Sequence, residues 1–318
     1  MRVVFLLLIS LTITSCSVDP FPYNLEQINV PESGVKSMVI GDWGRKGHVN
    51  LKANAFMMNE VACRVSINFI LTTGDNFYSN GVNNTDDSHW NRSFENIFTG
   101  ECLTLIPWFP SLGNHDVRGN TDAQIAYSNE STRWNMPATY YDYWVEEDSV
   151  SVHFIAVDTS PFVDSYHDDP SNSQMDFHVS NADTTRQLAW LDSVLGSGTP
   201  DWTVVYGHHP VYAAEGRHGE TEELIEKFVP IFDHHQLDVY FCGHNHSLEL
   251  IKTDTKTLYV TSGGGSNPQS RIENKPYNLF GVADAGFVLS SFAKDSLQLD
   301  FISKRGEVLY RYVNPQTP

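Results

Sequence analysis

Five short apolar runs in this 318-residue chain each stop near a glycine, and after each glycine comes Asp, Asn or His. Ser37-Met38-Val39-Ile40 leads into Gly41-Asp42-Trp43-Gly44. Ile67-Asn68-Phe69-Ile70-Leu71-Thr72 leads into Gly74-Asp75-Asn76-Phe77-Tyr78. The run from Pro107 to Leu112 meets Gly113-Asn114-His115-Asp116, Trp202 to Tyr206 meets Gly207-His208-His209-Pro210, and Leu237 to Cys242 meets Gly243-His244-Asn245-His246. Apolar runs of this length, bounded by turn residues, read as strands. Helical spacing lies between them, roughly over 50–63 and 186–195, and strands alternating with helices predict an α/β fold. In open α/β sheets the loops beyond the strand ends converge and bind ligands. A glycine there lets the chain turn sharply and keeps bulk away. From Leu258 onward the chain is strand-rich, which predicts a second sheet packed on the first. The Pro/Asp/Ser-rich stretch over 160–183 reads as a loop.

Charge narrows the function. Lys and Arg number 20 against 39 Asp and Glu, a formal charge of −19. No basic stretch offsets this, so nucleic acid is excluded as a main partner. A site for an anionic substrate then needs its own positive charge, and a bound metal ion supplies it most directly. The cysteines show no C-x-x-C spacing, which argues against cysteine-rich zinc or iron–sulfur sites. No repeat or linker divides the chain after residue 34, so residues 35–318 read as one domain.

The first residues read as an address. Met1-Arg2 precedes the apolar run Val3 to Ile9, which suits a secretory signal and is too short to span a bilayer. The run ends in Ile13-Thr14-Ser15-Cys16, which resembles a bacterial lipobox. That resemblance implies a signal peptide over 1–15, lipid on Cys16, a Pro-bearing tether over 16–34, and a protein anchored in the bacterial cell envelope. With Cys16 lipidated, Cys63, Cys102 and Cys242 allow at most one disulfide.

The ordered series GDWG, GDNFY, GNHD, GHHP and GHNH resembles the metallophosphoesterase superfamily, and more narrowly the small, mammalian tartrate-resistant type of purple acid phosphatase. The pairing of Asp75 with Tyr78 is the narrow marker. The resemblance implies two packed mixed β-sheets flanked by helices, a four-layer αββα sandwich. It implies Fe(III) on Asp42, Tyr78 and His246, and a divalent Fe(II), Zn or Mn on Asn114, His208 and His244, with Asp75 bridging. Carboxylate and phenolate suit the harder ion, imidazole and amide the divalent one. The implied activity is hydrolysis of small phosphate monoesters by a metal-activated hydroxide, in a protein expected to be monomeric. A phosphodiesterase or nucleotidase on the same scaffold is the nearest alternative, and a non-catalytic metal- or phosphate-binding surface lipoprotein a more distant one.

The leaving alkoxide needs a proton. His115, beside Asn114, is the first candidate donor and His218 the second, the latter also matching a family position. Asp116 is expected to orient the His115 ring, and His209 to point away from the metals, where it can still line the substrate mouth. His48, His89, His153, His167, His178 and the His234-His235 pair read as structural. Gly263-Gly264-Gly265 lacks the Lys and Ser/Thr of a phosphate loop and reads as tight backbone at the rim of the site.

Overall fold

A computed structural model of the chain describes residues 25–167, 173–269 and 271–315. The signal segment, Cys16 and the tether up to residue 24 lie outside the described residues.

Strands β1 (Val35–Ile40), β2 (Phe69–Thr72) and β3 (Trp108–Pro110) run parallel to one another. The chain then builds a second sheet from β4 (Tyr141–Glu147), β5 (Val150–Ala156), β6 (Trp202–Tyr206), β7 (Val239–Cys242), β8 (Leu248–Lys252), β9 (Leu258–Ser262) and β10 (Asn278–Val282). Its order is β10-β8-β9-β7-β6-β5-β4, with β5, β6, β7 and β9 mutually parallel. Finally β11 (Gly286–Phe292), β12 (Ser296–Ser303) and β13 (Val308–Pro315) return antiparallel to the first sheet, in the order β13-β12-β11-β1-β2-β3.

Strands β1, β2, β7, β9 and β11 are buried along their whole length, as strands covered on both faces must be. The sheets meet face to face through aromatic rings: Phe154 of β5 lies 4.9 Å from Phe69 of β2 and 5.8 Å from Phe292 of β11, centroid to centroid. Helix α1 (Val49–Ala62) buries Leu51, Met58 and Val61 in the cluster that holds Val39 and Ile70. Helices α2 (Thr121–Ala126) and α3 (Ser173–Asn181) lie within the connections. Helices α4 (Thr184–Leu195) and α5 (Glu222–His235) pack Leu191, Leu224, Phe228 and Phe232 against Val205 and Tyr240 of the second sheet. The result is helix, sheet, sheet, helix, as the resemblance implied.

Backbone hydrogen bonds stitch the sheets together where their parallel strands end. The Gly41 N–H donates to the Ser262 carbonyl at 2.7 Å, and Ser262 Oγ donates back to the Val39 carbonyl at 2.7 Å. From α1, Asn54 Nδ2 donates to the carbonyls of Gly264 (3.2 Å) and Gly265 (2.9 Å). The glycine run is thus structural backbone at the rim. A disulfide joins Cys63, just after α1, to Cys102, with 5.3 Å between their Cα atoms.

The described parts of the segment over 160–183, residues 160–167 and 173–183, are more ordered than its composition suggests. They hold two short turns, Ser160–Phe162 and Asp164–Tyr166, and then α3. Helix α3 is pinned by an ion pair of 2.6 Å between His178 Nε2 and Asp158 Oδ2. The Gln187 carboxamide brackets the Asp158 backbone, accepting from its N–H at 2.9 Å and donating to its carbonyl at 3.0 Å. Among the described residues of this helix only Met175 and Val179 are firmly buried, an apolar stripe too brief for a periodicity reading.

Burial alone would lower the His178 pKa, but the Asp158 carboxylate outweighs it and holds the value above that of a free imidazole. The proton is therefore retained to higher pH in the folded chain than in the unfolded one. The pair stabilises fully below about pH 6.5, where the unfolded imidazole is also protonated, and fades as pH rises through the raised folded value. His178→Asn is expected to lose about 1.5–3 kcal/mol at pH 5.5, with a smaller loss at pH 9, measured by urea unfolding of both proteins at each pH.

Candidate metal centre

The five glycine-led turns sit at the C-terminal ends of β1, β2, β3, β6 and β7, all on one rim. Leaving the strands so abruptly strains the chain. Asp42, Asp75 and His244 adopt φ of 58°, 52° and 65°, a region where a non-glycine residue costs on the order of 1 kcal/mol or more. The turns also pack against each other too closely for side chains between them. Gly74 has φ +82°, and a Cβ there would stand 2.8 Å from Gly113 Cα and 2.7 Å from His208 Nδ1.

All seven residues singled out as ligands converge, in two sets. In the first, Tyr78 Oη donates to Asp42 Oδ1 at 2.8 Å, and His246 Nε2 lies 3.2 Å from Tyr78 Oη and 3.4 Å from Asp42 Oδ1. In the second, Asn114 Oδ1 lies 3.0 Å from His208 Nε2 and 3.2 Å from His244 Nδ1, and those two nitrogens are 3.2 Å apart. Asp75 stands between the sets, its Oδ1 3.5 Å from His208 Nε2 and its carboxylate interacting with the Tyr78 hydroxyl. Atoms about 2.1 Å from one ion and at 90–110° to each other would be spaced about 3.0–3.4 Å apart.

Hydrogen bonding behind the site decides which ring atoms face it. His208 Nδ1 donates to the Thr73 carbonyl at 2.8 Å, and His246 Nδ1 to the Asn267 carbonyl at 2.8 Å. In the neutral rings both Nε2 atoms are therefore bare lone pairs. His208 Nε2 then faces another acceptor, Asn114 Oδ1, a pairing that a cation satisfies and a hydrogen bond does not. Burial, and then the charges of Asp42 and Asp75, push the Tyr78 phenol well above its usual pKa, with Arg45 opposing. Burial would also raise Asp75, yet the His208 and His115 imidazoles and the His115 N–H hold it well below the usual carboxylate range. The donor set fits two cations.

The two candidate proton donors are at the same place. His115 Nδ1 donates to the Ser79 carbonyl at 2.5 Å, leaving Nε2 3.9 Å from Asp75 Oδ2. The His218 ring lies 4.7 Å from that of His244 and 6.4 Å from that of His246. Burial lowers the pKa of both. They line a cavity of about 730 Å³ with Asp75, Asn114, His244 and His246.

One expectation needs correction. Asp116 does not orient His115. Its buried carboxylate accepts from the backbone N–H groups of Asn76, Phe77 and Gly113 and from the amides of Asn76 and Gln124. It therefore ties the second and third turns together from below. Burial and then the Asp75 charge push this carboxyl up to about 7, against the N–H groups of Asn76 and Gly113 and the Gln124 amide, which pull it down. His209 turns its ring nitrogens to Thr159 Oγ1 and Tyr166 Oη rather than to the donor sets, while its buried ring, 4.6 Å from that of His244, lines the cavity. The sequence reading also missed Thr73 and Asn267, which act through backbone carbonyls that no side chain advertises. It missed Arg118 as well, two residues beyond the third motif, and Tyr166, on a turn without a motif; both reach the cavity. The histidines read as structural stay clear of the two donor sets: His48 caps α1, His89 is held by the Gly44 carbonyl and His153 by Asp142.

A profile of the calcineurin-like phosphoesterase domain matches residues 35–248. Tartrate-resistant acid phosphatase type 5 of Rattus norvegicus is 30% identical over 310 residues, spanning 92% of this chain and 94% of that protein. Purple acid phosphatase 3 of Arabidopsis thaliana is 37% identical over 299 residues, spanning 91% and 80%. The chain belongs to the calcineurin-like phosphoesterases. Among solved structures, GAP50, the anchor in the inner membrane complex of Plasmodium, shares this fold with a TM-score of 0.76 at 23% identity over 90% of each chain. With relatives named as acid phosphatases along almost its whole length, this phosphoesterase is a purple acid phosphatase-like hydrolase, and its family implies a dinuclear metal centre.

Asparagine tolerates the left-handed backbone of position 75 but lacks the charge that two cations would share. Asp75→Asn of this phosphoesterase is expected to fold with unchanged far-UV circular dichroism while losing most of both metals by elemental analysis. A full metal complement in that variant would remove Asp75 from the centre.

Proposed function

We propose that this phosphoesterase is an exported, lipid-anchored acid phosphatase acting on small phosphate monoesters, with Asp42, Tyr78 and His246 holding ferric iron, Asn114, His208 and His244 a divalent ion, and Asp75 shared. The observation that carries this reading is the placing of the Tyr78 oxygen within 2.8 Å of Asp42 and 3.2 Å of His246, in a set separate from the imidazole-and-amide set. Carboxylate and phenolate oxygens favour a hard trivalent ion, and imidazoles a divalent one. When bound, such a pair supplies Lewis-acid charge on the phosphoryl oxygens and a nucleophilic water at mildly acidic pH.

The chain's own residues do the rest. His115 is anchored through Nδ1, so a proton on Nε2 faces the cavity and is available to the leaving oxygen. His218 is held over His244 by its backbone N–H, which donates to Glu215 Oε2 at 2.7 Å. Arg45 lies with its guanidinium carbon 3.6 Å from the centroid of the Tyr78 ring and, with Arg118 and Arg217, gives the cavity positive charge. Export accords with the Cys63–Cys102 disulfide, since such bonds persist in oxidising compartments. Anchoring through Cys16 accords with the lipobox-like residues before it, and among the described residues no helix is long and apolar enough to cross a membrane.

The purified, iron-loaded protein is expected to absorb in the violet-to-green range and to lose that band in Tyr78→Phe. An aryl monophosphate is expected to turn over faster than its bis-aryl diester at mildly acidic pH. His115→Ala should keep both metals and lower kcat about 10²–10⁴-fold, the usual contribution of a general acid. A colourless iron-loaded protein, or a preference for the diester, overturns the corresponding part of the assignment.

A further inference from the structure

Three side chains, two on the cavity wall and one behind it, form a chain of hydrogen bonds whose direction follows from counting donors. Thr159 Oγ1 accepts from the backbone N–H of His208 at 3.3 Å and from that of His209 at 3.1 Å. A hydroxyl oxygen has two lone pairs, and both are then used. The third contact of Oγ1, 2.8 Å to His209 Nδ1, must be the hydroxyl donating its own proton. His209 Nδ1 is thereby an acceptor, so the proton of the neutral ring sits on Nε2. His209 Nε2 lies 2.9 Å from Tyr166 Oη and donates to it. Tyr166 is left with its own hydroxyl proton, and among the described residues that proton has no acceptor within hydrogen-bond distance.

Tyr166 is held for such a role. The turn Asp164–Tyr166 is fixed by the Asp164 N–H donating to Glu223 Oε1 at 2.9 Å and by the Tyr166 N–H donating to the Val163 carbonyl at 3.0 Å. The side chain lines the cavity that also holds Asp75, Asn114, His115 and His244. Its partner His209 lies against the rings of both His208 and His244, 4.9 Å and 4.6 Å between centroids.

We propose that Tyr166 is a substrate-binding residue, its hydroxyl donating a hydrogen bond to a non-bridging phosphoryl oxygen, and that Thr159 and His209 are positioning residues that force this donor polarity. The proposal rests on the phosphoesterase activity proposed above and adds to it a donor from outside the five glycine-led turns. A tyrosine free to rotate would offer the substrate either a lone pair or a proton, and a lone pair would repel phosphate. Here the relay fixes the proton toward the anion before it arrives, so no reorganisation is needed on binding.

The test titrates inorganic phosphate into the metal-loaded full chain by calorimetry, for wild type and Tyr166→Phe, and measures kcat/KM on an aryl monophosphate for both. A hydrogen bond to a charged group corresponds to about ten- to a hundredfold in affinity. Tyr166→Phe is expected to weaken phosphate binding and to lower kcat/KM by a factor in that range, with metal stoichiometry and unfolding midpoint unchanged. Wild-type phosphate affinity in Tyr166→Phe overturns the proposal, and so does a loss of affinity that follows a loss of metal, which would make Tyr166 a buttress for His209 alone. If the wild type binds phosphate but hydrolyses no ester, a weaker titration of Tyr166→Phe still supports this assignment while the activity reading falls. If the wild type binds no phosphate, both fall.

Discussion

Electron-pair donors crowd around Asp75 with too few protons among them, and the architecture is organised to keep that deficit in place. The Thr73 and Asn267 carbonyls take the Nδ1 protons of His208 and His246, so the Nε2 atoms that face inward are bare in the neutral rings. His208 Nε2 then meets the Asn114 oxygen at 3.0 Å, and His246 Nε2 the Asp42 carboxylate at 3.4 Å. In a buried setting such contacts are costly unless positive charge enters. A site built this way selects cations by its lack of protons, and the same cations then attract phosphate.

Holding lone pairs together requires a scaffold that resists them. The strained backbones of Asp42, Asp75 and His244 do not relax because each turn is hydrogen-bonded to the next. The Asp42 N–H donates to the Gly74 carbonyl at 3.0 Å, the Gly243 N–H to the His208 carbonyl at 2.9 Å, and the Gly265 N–H to the Gly41 carbonyl at 3.0 Å. Asp116 gathers five N–H donors beneath the second and third turns. These bonds connect the ends of β1, β2, β3, β6, β7 and β9, so both sheets carry the strain. The two-sheet architecture and the metal site are therefore aspects of one packing solution.

Legibility in the sequence divides along the same line. The parallel strands were readable because burial on both faces makes them continuous apolar runs, and the glycine after each marks where the chain turns. Helix α1 followed from its spacing. The strands β4, β8 and β10 escaped because their composition is mixed: β4 carries Asp142, Glu146 and Glu147 and is largely half-buried or exposed. Helix α3 escaped because its stripe is two residues long. Within the two donor sets, residue identity was legible wherever a side chain does the work, and silent wherever a backbone carbonyl does, as with Thr73 and Asn267. Asp116 shows a further limit. Its position in a motif suggested a partner for the neighbouring ring, while its actual partners are five N–H groups gathered by tertiary packing. The partners that fix the His209 ring were likewise beyond reach, because Thr159 and Tyr166 lie about 40–50 residues away.

The overall charge of −19 is at odds with a site for phosphate only if distance is ignored. At physiological ionic strength an anion responds mainly to charges within about 8 Å. Within the cavity those are Arg45, Arg118 and Arg217 against the Asp75 carboxylate, together with whatever cations the donor sets hold. The two glutamates on the wall are already engaged, Glu220 with Lys275 at 2.7 Å and Glu223 with the Asp164 N–H. A small phosphate ester fits inside this local field. An extended polyanion must also lie across the acidic surface beyond it, where the repulsion is no longer screened by the site. Local positive charge within an acidic body therefore favours the size of ester the cavity admits, and it does so through electrostatics before any side chain touches the leaving group.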